Sequence, residues 1–144
     1  MDKYLFSTEP ALLRDLAHGI STRLPAGTMR LAGVELGAVP LVAAAALTSG
    51  LPYAIVRKAA KEYGTGNKIE GRPFEAGEKV ALIEDVVTTG TQVLRAAATL
   101  EEAGAEVLGI LAVLDRRDER PDRLGGYPFE ALLGMEDLGV IKRD

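Results

Sequence analysis

Residues 80–91 read VALIEDVVTTGT, and this stretch decides the fold of the chain. Its first four residues form an apolar run typical of a strand buried in a parallel sheet. Two adjacent acids, Glu84 and Asp85, follow the run, and a turn rich in hydroxyl groups then leads into a segment with helical periodicity. This order of features predicts one strand-to-helix unit of an α/β domain.

Short apolar runs alternate with helix-period segments on both sides of this unit. We expect further strands at residues 29–32, 53–56, 107–114 and 129–133, the last of them near an edge of the sheet. We expect helices over residues 12–24, 40–49 and 90–103. Thr8 is a candidate N-cap for the first helix, and Gly50 is expected to end the second.

Residues 57–77 differ from the rest of the chain, because they are polar and glycine-rich and show no clear period. A connection of this length without regular structure is usually functional or mobile. We therefore predict a single α/β domain over residues 1–144, with a mainly parallel twisted sheet flanked by helices and a flexible loop at 57–77.

Composition excludes several classes of function. The 144 residues contain no Cys and one His, which argues against disulfides, thiolate zinc sites, Cys nucleophiles and His-based triads. The formal charge is −4, from 17 Lys and Arg against 21 Asp and Glu, so a broad nucleic-acid footprint is not expected. The chain also has no membrane-length apolar run and no signal-peptide pattern at its N-terminus. We expect a cytoplasmic protein that binds neither nucleic acid nor membrane.

The turn after the acidic pair is suited to an anion. Thr88, Thr89 and Thr91 offer hydroxyl groups at a helix N-terminus, where free amides and the helix dipole favour negative charge. Gly90 allows a phosphate to approach the backbone closely. The neighbouring carboxylates suit sugar hydroxyls or a hydrated Mg²⁺. Any one of these residues alone could serve as a helix cap or a solvated turn, but the ordered set predicts a site for a phosphorylated ribose.

The stretch 80–91 closely resembles the 5-phosphoribosyl 1-pyrophosphate (PRPP) signature of type I phosphoribosyltransferases. More narrowly, the chain resembles orotate phosphoribosyltransferases over nearly its whole length. Four other segments carry the resemblance, namely residues 2–6 (DKYLF), 33–40 (GVELGAVP), 57–64 (RKAAKEYG) and 114–116 (LDR). It implies the type I phosphoribosyltransferase fold, with Mg²⁺ as cofactor. The implied reaction, a step in pyrimidine nucleotide biosynthesis, transfers ribose 5-phosphate from PRPP to a nitrogen of orotate and releases pyrophosphate.

The resemblance also implies roles for individual residues. Lys61, Glu84 and Asp85 are the expected catalytic residues, and the two acids would hold the ribose hydroxyls directly or through metal-bound water. The 5-phosphate would be held by the turn that follows the acids, which consists of Val86, Val87, Thr88, Thr89, Gly90 and Thr91. Thr88 would also lie close to the base, and Arg116 would pair with the carboxylate of orotate.

Pyrophosphate is expected at two further segments. Its implied partners are Glu35, Leu36, Gly37, Arg57, Lys58, Lys61 and Tyr63. A basic loop suits a leaving group that gains negative charge, and its closure would exclude water. In the family this loop reaches the active site of the neighbouring subunit, which implies a homodimer that shares the 57–77 loop. Lys68 and Arg72, further along the loop, are expected to be ordinary surface cations, and His18 to be structural or solvent-facing.

The sequence departs from the family pattern at three places. Tyr63 stands where the family usually has His, and Leu36-Gly37 stand where many relatives have a basic residue. The chain also begins after the N-terminal hood that orotate phosphoribosyltransferases place over the base. Four readings stay open: an orotate transferase that completes its hood from elsewhere, a transferase for another base, a PRPP-binding regulatory module, and a shortened chain of an ordinary enzyme.

Overall fold

A computed structural model of the chain describes residues 5–58, 68–119 and 121–138, without the side chains of Leu5, Phe6 and Leu138. The helices are α1 (Leu5–Thr8), α2 (Pro10–Thr22), α3 (Ala38–Ser49) and α4 (Thr91–Glu102), and a short 3₁₀ helix spans Met135–Leu138. The strands are β1 (Arg30–Val34), β2 (Tyr53–Val56), β3 (Ile69–Glu70), β4 (Lys79–Val87), β5 (Glu106–Asp115), β6 (Arg123–Leu124) and β7 (Tyr127–Gly134).

The strands form one sheet in the order β3-β2-β1-β4-β5-β7-β6. Strands β2, β1, β4, β5 and β7 are parallel to their neighbours in this series, whereas β3 and β6 pair antiparallel at the two edges. The prediction of a mainly parallel α/β sheet, with its last long strand near an edge, is confirmed. Within the described ranges, no helix has the length and apolar character that a membrane span requires.

Both faces of the central strand β4 are buried, because helices cover both sides of the sheet. Val80 and Leu82 pack in the cluster that includes α4, and Ala81 and Ile83 pack in the cluster that includes α2 and α3. Alternate side chains of a strand point to opposite faces, so an unbroken apolar run is what such a strand requires. This packing fixes the carboxyl end of β4, where the acidic pair lies.

One of the two predicted helix ends is confirmed and the other is wrong. Gly50 takes a left-handed conformation (φ 79°) and donates its N–H to Ala46 O over 2.8 Å, so it ends α3 as predicted. The prediction of Thr8 as an N-cap is wrong. Thr8 ends α1, and Glu9 occupies the N-cap of α2 with no side-chain cap bond. Pro10 then starts α2, at a position where the missing N–H is not needed.

The expectation of a loop without regular structure through Gly77 is wrong at two positions of its second half. Residues 69–70 form β3, which pairs antiparallel with β2. Arg57 N–H donates to Lys68 O over 2.7 Å, which extends this pairing to the first described residue after the gap. A two-residue strand is too short to leave a period in the sequence, and its stability comes from pairing with β2. Residues 59–67, the first half of the predicted loop, lie outside the described residues.

A buried ion pair ties this segment to the amino ends of β1 and β4. Arg30 is 0% exposed, and its Nε and Nη2 atoms donate to the Glu78 carboxylate over 3.0 and 2.9 Å. Its Nη1 and Nη2 atoms also donate to the carbonyl oxygens of Arg72 and Pro73, over 2.7 and 3.1 Å. The ring of Phe74 lies 4.2 Å from the guanidinium carbon. Arg30 therefore holds the chain that leads from β3 back into β4.

The environment of Glu78 favours its charged form. Burial acts to raise the pKa of this carboxyl, but hydrogen bonds from the Arg30 side chain and the Glu75 N–H, together with the charges of Arg30 and Arg72, lower it below the ordinary value of 4.5. Arg72, expected to be an ordinary surface cation, is exposed but also reaches Glu78, over 3.2 Å. The carboxylate is thus ionised at neutral pH and paired on two sides.

We predict that Arg30→Leu lowers the free energy of unfolding by about 3–5 kcal/mol at pH 7, because it leaves a buried carboxylate without its main partner. Urea unfolding checks this. The matched control is Arg23→Leu, which breaks an exposed pair with Glu130 and should cost less than about 1 kcal/mol. The pKa of Glu78 is lowered on folding, so the difference in free energy of unfolding between wild type and Arg30→Leu depends on pH. This difference should have its full size above pH 4.5 and become smaller as the pH falls below that value. Equal losses in the two variants would contradict the account.

Candidate functional site

The acidic pair lies inside β4 rather than beyond its end. The strand was expected to end at Ile83, but its pairing with β5 continues from Glu84 beside Ala112 to Val87 beside Asp115. Glu84 and Asp85 are only 8% and 5% exposed. The boundary prediction was wrong because apolar character ends at Ile83 while backbone pairing does not. Both acids stand at the carboxyl ends of the parallel strands, where ligands of open α/β sheets bind.

The carboxylates are held locally by backbone amides. Asp85 N–H donates to Glu84 Oε1 over 3.0 Å, and Val86 N–H donates to Asp85 Oδ1 over 2.7 Å. These hydrogen bonds fix the direction of both carboxyl groups at the rim of the sheet.

The turn after β4 has the features expected of an anion site. Thr88 and Thr89 are exposed, and the Thr89 hydroxyl lies 3.0 Å from the Thr91 hydroxyl. Gly90 is the N-cap of α4, with φ 89° and no side-chain cap bond. A Cβ at Gly90 would also lie 2.9 Å from Leu124 Cδ1. The first amides of the twelve-residue helix α4 therefore begin beside the acidic pair.

A second loop, residues 35–37, lies against the acidic pair. A Cβ built on Gly37 would lie 1.9 Å from Asp85 Oδ2, so only glycine fits at this position. The Glu35-Leu36 peptide bond is cis. Glu35 N–H donates to Val56 O over 3.0 Å, and Glu35 Oε1 accepts the N–H of Lys58 over 3.3 Å. This loop thus joins the ends of β1 and β2 to the carboxylate of β4.

These elements enclose a cavity of about 440 Å³, a size in the usual range for a small-molecule ligand. It contains the acidic pair, the whole polar turn and parts of three other elements. The lining residues are Glu35, Gly37, Lys58, Glu84, Asp85, Val86, Val87, Thr88, Thr89, Gly90, Thr91, Gln92, Val93 and Arg116. All the residues predicted for the phosphorylated ribose are therefore brought together in one place.

Several residues predicted for pyrophosphate are placed elsewhere or fall outside the described residues. Leu36 is exposed and does not line the cavity. Arg57 does not line it either, and its Nη1 atom lies 3.4 Å from Glu70 Oε2. Arg57 instead lines a neighbouring cavity of about 270 Å³ together with Lys58, Lys68 and Arg95. Lys61 and Tyr63 lie outside the described residues.

Sequence reasoning missed two kinds of residue at this site. Gln92 and Val93 line the cavity because they belong to the first turn of α4, a position that follows from the cap at Gly90. It also missed Asp115 and Arg117. Asp115 is fully buried at the end of β5, and its carboxylate accepts hydrogen bonds from Arg117 Nε and Nη2 over 2.9 and 2.8 Å. An acid that ends an apolar strand was the available signal, because a buried carboxylate requires a donor.

The Asp115 carboxylate also affects the charge of its partner. Its hydrogen bonds to Arg117 raise the pKa of that guanidinium above the ordinary value, although burial acts in the opposite direction. Arg116, between the two, lines the cavity and donates its N–H to Val87 O over 2.9 Å. The lining of the cavity therefore includes an arginine from the end of β5 as well as the acids of β4.

The donor set of the cavity fits Mg²⁺ bound in part by a ligand. Across residues 5–58, 68–119 and 121–138, no three His, Asp or Glu side chains are grouped so that they could hold a metal ion by themselves. Glu84 and Asp85 supply two carboxylates at the cavity wall. Protein Mg²⁺ sites commonly use one or two carboxylates together with water and substrate phosphates, and this pair meets that requirement.

Comparison with known proteins places this geometry in context. The family model described as phosphoribosyl transferase domain matches residues 8–127. The orotate phosphoribosyltransferase of Natronomonas pharaonis is 48% identical over 140 residues, covering 96% of this chain and 79% of that protein. The orotate phosphoribosyltransferase of Pyrococcus furiosus is 49% identical over 136 residues, covering 91% and 74%.

The solved structures include a bound form that bears on the cavity. The Mycobacterium tuberculosis orotate phosphoribosyltransferase in complex with PRPP has a TM-score of 0.77 and 28% identity to this chain. The match covers 96% of this chain and 82% of that one. The chain therefore shares its fold with solved orotate phosphoribosyltransferases.

Proposed function

The chain belongs to the orotate phosphoribosyltransferase family, and from this membership we propose that its cavity binds PRPP and orotate and carries out the family's reaction. Ribose 5-phosphate is transferred from PRPP to orotate, and pyrophosphate is released, in pyrimidine nucleotide biosynthesis. The observation that carries the proposal is the joining of the buried acidic pair, the polar turn and the Gly37 contact around one cavity.

The 5-phosphate is proposed to lie in the turn from Val86 to Thr91. The first amides of α4 and the hydroxyls of Thr88, Thr89 and Thr91 supply donors there. Gly90 takes the left-handed conformation (φ 89°) that this turn requires, and Leu124 leaves no room for a side chain there. The ribose then lies next to Glu84 and Asp85, whose carboxylates accept hydrogen bonds from its hydroxyl groups.

Mg²⁺ is the proposed cofactor, held by Glu84 and Asp85 either directly or through water. When bound, it offsets the negative charge of the pyrophosphate group. The Gly37 contact places the 35–37 loop beside this position, so backbone groups of the loop are available to the pyrophosphate. Lys58, whose backbone is bonded to Glu35, adds a cation to the same wall.

The transfer breaks the bond between the ribose anomeric carbon and pyrophosphate and forms a bond from that carbon to a ring nitrogen of orotate. The departing oxygen takes the electron pair, so negative charge grows on pyrophosphate in the transition state. We propose that Lys61 donates to this charge, with Arg57, Lys58 and Tyr63 as further partners on the 57–77 loop. Positioning and charge stabilisation, rather than a covalent intermediate, account for the rate.

Thr88 and Arg116 are the residues proposed to contact the base. Arg116 extends from the end of β5 into the cavity lining. A guanidinium can donate two parallel hydrogen bonds to a carboxylate, and orotate carries a carboxylate on its ring. Selection of orotate over bases without that group follows from this pairing, because only a base with a carboxylate offers an acceptor for both donors.

A homodimer that shares the 57–77 loop is the proposed assembly. Helix α3 is apolar on its outer side as well as its core side, and Leu47 on it is 89% exposed. A helix that is apolar all round usually has a second packing partner. The position of Arg57, against Glu70 and outside the cavity of its own chain, also supports a role in a neighbouring site.

We predict that, in the presence of Mg²⁺, the protein releases pyrophosphate from PRPP when orotate is the base, and not when the base is uracil or adenine. A coupled pyrophosphate assay against these three bases measures this, with chromatography of the nucleotide product. Release with another base alone would indicate a transferase for that base. PRPP binding without release for any base would instead indicate a regulatory module.

Shared loops predict complementation between two inactive variants. Lys61→Ala and Asp85→Asn are each expected to be inactive as pure proteins. The two variants are then mixed in equal amounts under conditions in which subunits exchange. Half of the dimers become hybrids, and each hybrid has one intact site out of two. The mixture should therefore recover about a quarter of the wild-type activity per subunit. The assay is pyrophosphate release before and after mixing. No recovery, with hybrid dimers confirmed by mass, would contradict loop sharing.

A further inference from the structure

The turn at the end of β5 contains an arginine that is not a lining residue of the cavity. Asp115 is 0% exposed, and its Oδ1 atom accepts both the backbone N–H and the Nε–H of Arg117, over 3.0 and 2.9 Å. Its Oδ2 atom accepts from Arg117 Nη2 over 2.8 Å. Three hydrogen bonds join these two residues, which are two positions apart, and Arg116 lies between them.

The backbone of this turn is also held from its other sides. Arg116 N–H donates to Val87 O over 2.9 Å, which attaches the turn to the end of β4. Asp115 pairs with Val87 on one side and with Gly134 of β7 on the other. The guanidinium carbon of Arg117 lies 4.9 Å from the centre of the Phe129 ring on β7. The guanidinium of Arg117 is therefore held at its edge by Asp115 and at its face by the Phe129 ring.

This arrangement determines where the side chain of Arg116 begins. Asp115 is directed into the protein and Arg117 turns back to it, while Arg116 lines the cavity. Arginine has many rotamers, and ordering such a side chain costs conformational entropy. A rigid backbone at its base reduces the number of directions that the guanidinium can take, so less freedom is lost when a ligand binds.

We infer that Arg117, through its pairing with Asp115, is a positioning residue that directs Arg116 towards a carboxylate on the base. Arg117 does not touch the substrate, and it acts only through the backbone at Arg116. The inference rests on the proposed function, because it assigns a determinant of base selection at that same site. The affinity for the base that carries a carboxylate should therefore depend on the Asp115–Arg117 pair, and the affinity for PRPP should not.

A purely structural role makes a different prediction, which a double-mutant cycle can detect. If Arg117 acts through Arg116, then removing Arg117 affects orotate only while Arg116 is present. If Arg117 merely stabilises the end of β5, its removal affects the enzyme equally with or without Arg116, and it disturbs PRPP as much as orotate.

The experiment measures KM for orotate and KM for PRPP in the full-length enzyme by pyrophosphate release. The variants are Arg117→Met, Arg116→Met and the double variant. Arg23→Met is the matched control, because it also removes an arginine from a carboxylate pair, at the surface with Glu130. Arg117→Met should raise KM for orotate about tenfold or more over the control, as expected for a misdirected binding group. Its KM for PRPP should stay within about twofold of the control, and in the Arg116→Met background it should cause no further rise in KM for orotate.

Removing Arg117 alone leaves the buried charge of Asp115 without this partner, which can prevent folding. Asp115→Asn combined with Arg117→Met removes both members and replaces the single variant in that case, with the same expected result. If the wild-type protein is active with orotate and the Arg117 variant has an unchanged KM for orotate, this inference is wrong while the proposed function stands. An equal rise in both backgrounds, or an equal rise for both substrates, also overturns the inference. A wild-type protein that releases no pyrophosphate with orotate overturns the proposed function and this inference together.

Discussion

The contact between Asp85 and Gly37 is the constraint on which the site depends. The carboxylate of Asp85 occupies the space that a side chain at position 37 would need, since a Cβ there would lie 1.9 Å from Oδ2. The loop after β1 and the acidic end of β4 are thereby brought to van der Waals distance. A ligand that carries both a sugar and a pyrophosphate requires these two segments side by side, because the groups are joined by one bond. The burial of β4 between two helical layers keeps the carboxylate in place.

Opposite ends of the same strands serve different purposes. The carboxyl ends of β1, β4 and β5 supply Gly37, the acidic pair and Arg116 to the cavity. At the amino ends, Arg30 and Glu78 form a buried pair that also binds the carbonyls of Arg72 and Pro73. The segment between β3 and β4 is therefore anchored at the amino ends of the strands, whereas the cavity lies at their carboxyl ends.

Much of the fold was predictable from the sequence, because the strands of a sheet covered on both faces are continuous apolar runs. Strand β2 and the Gly50 cap were predicted at the residues where they occur. The extension of β4 through Glu84 and Asp85 was not predictable from hydrophobicity, since pairing with β5 rather than apolar character defines it. β3 was missed because two residues cannot show a period. Residues 84–91 were predictable because acids, hydroxyl residues and glycine follow one another along a single segment of sequence. The Asp115–Arg117 and Arg30–Glu78 pairs were not predictable, because only the folded chain shows which residues are paired.

If the turn after β4 holds the phosphate of PRPP, calorimetric titration of the protein with PRPP and Mg²⁺ should show binding that depends on this turn. Gly90→Val should abolish binding, because a Cβ at φ 89° is strained and would lie 2.9 Å from Leu124 Cδ1, so the turn has to shift. Gly50→Val is the matched control: Gly50 also caps a helix at positive φ, but in open space, so the change brings the same backbone strain away from the cavity. Binding should be retained in this control and lost in Asp85→Asn as well as in Gly90→Val. Wild-type affinity in both site variants would contradict the account.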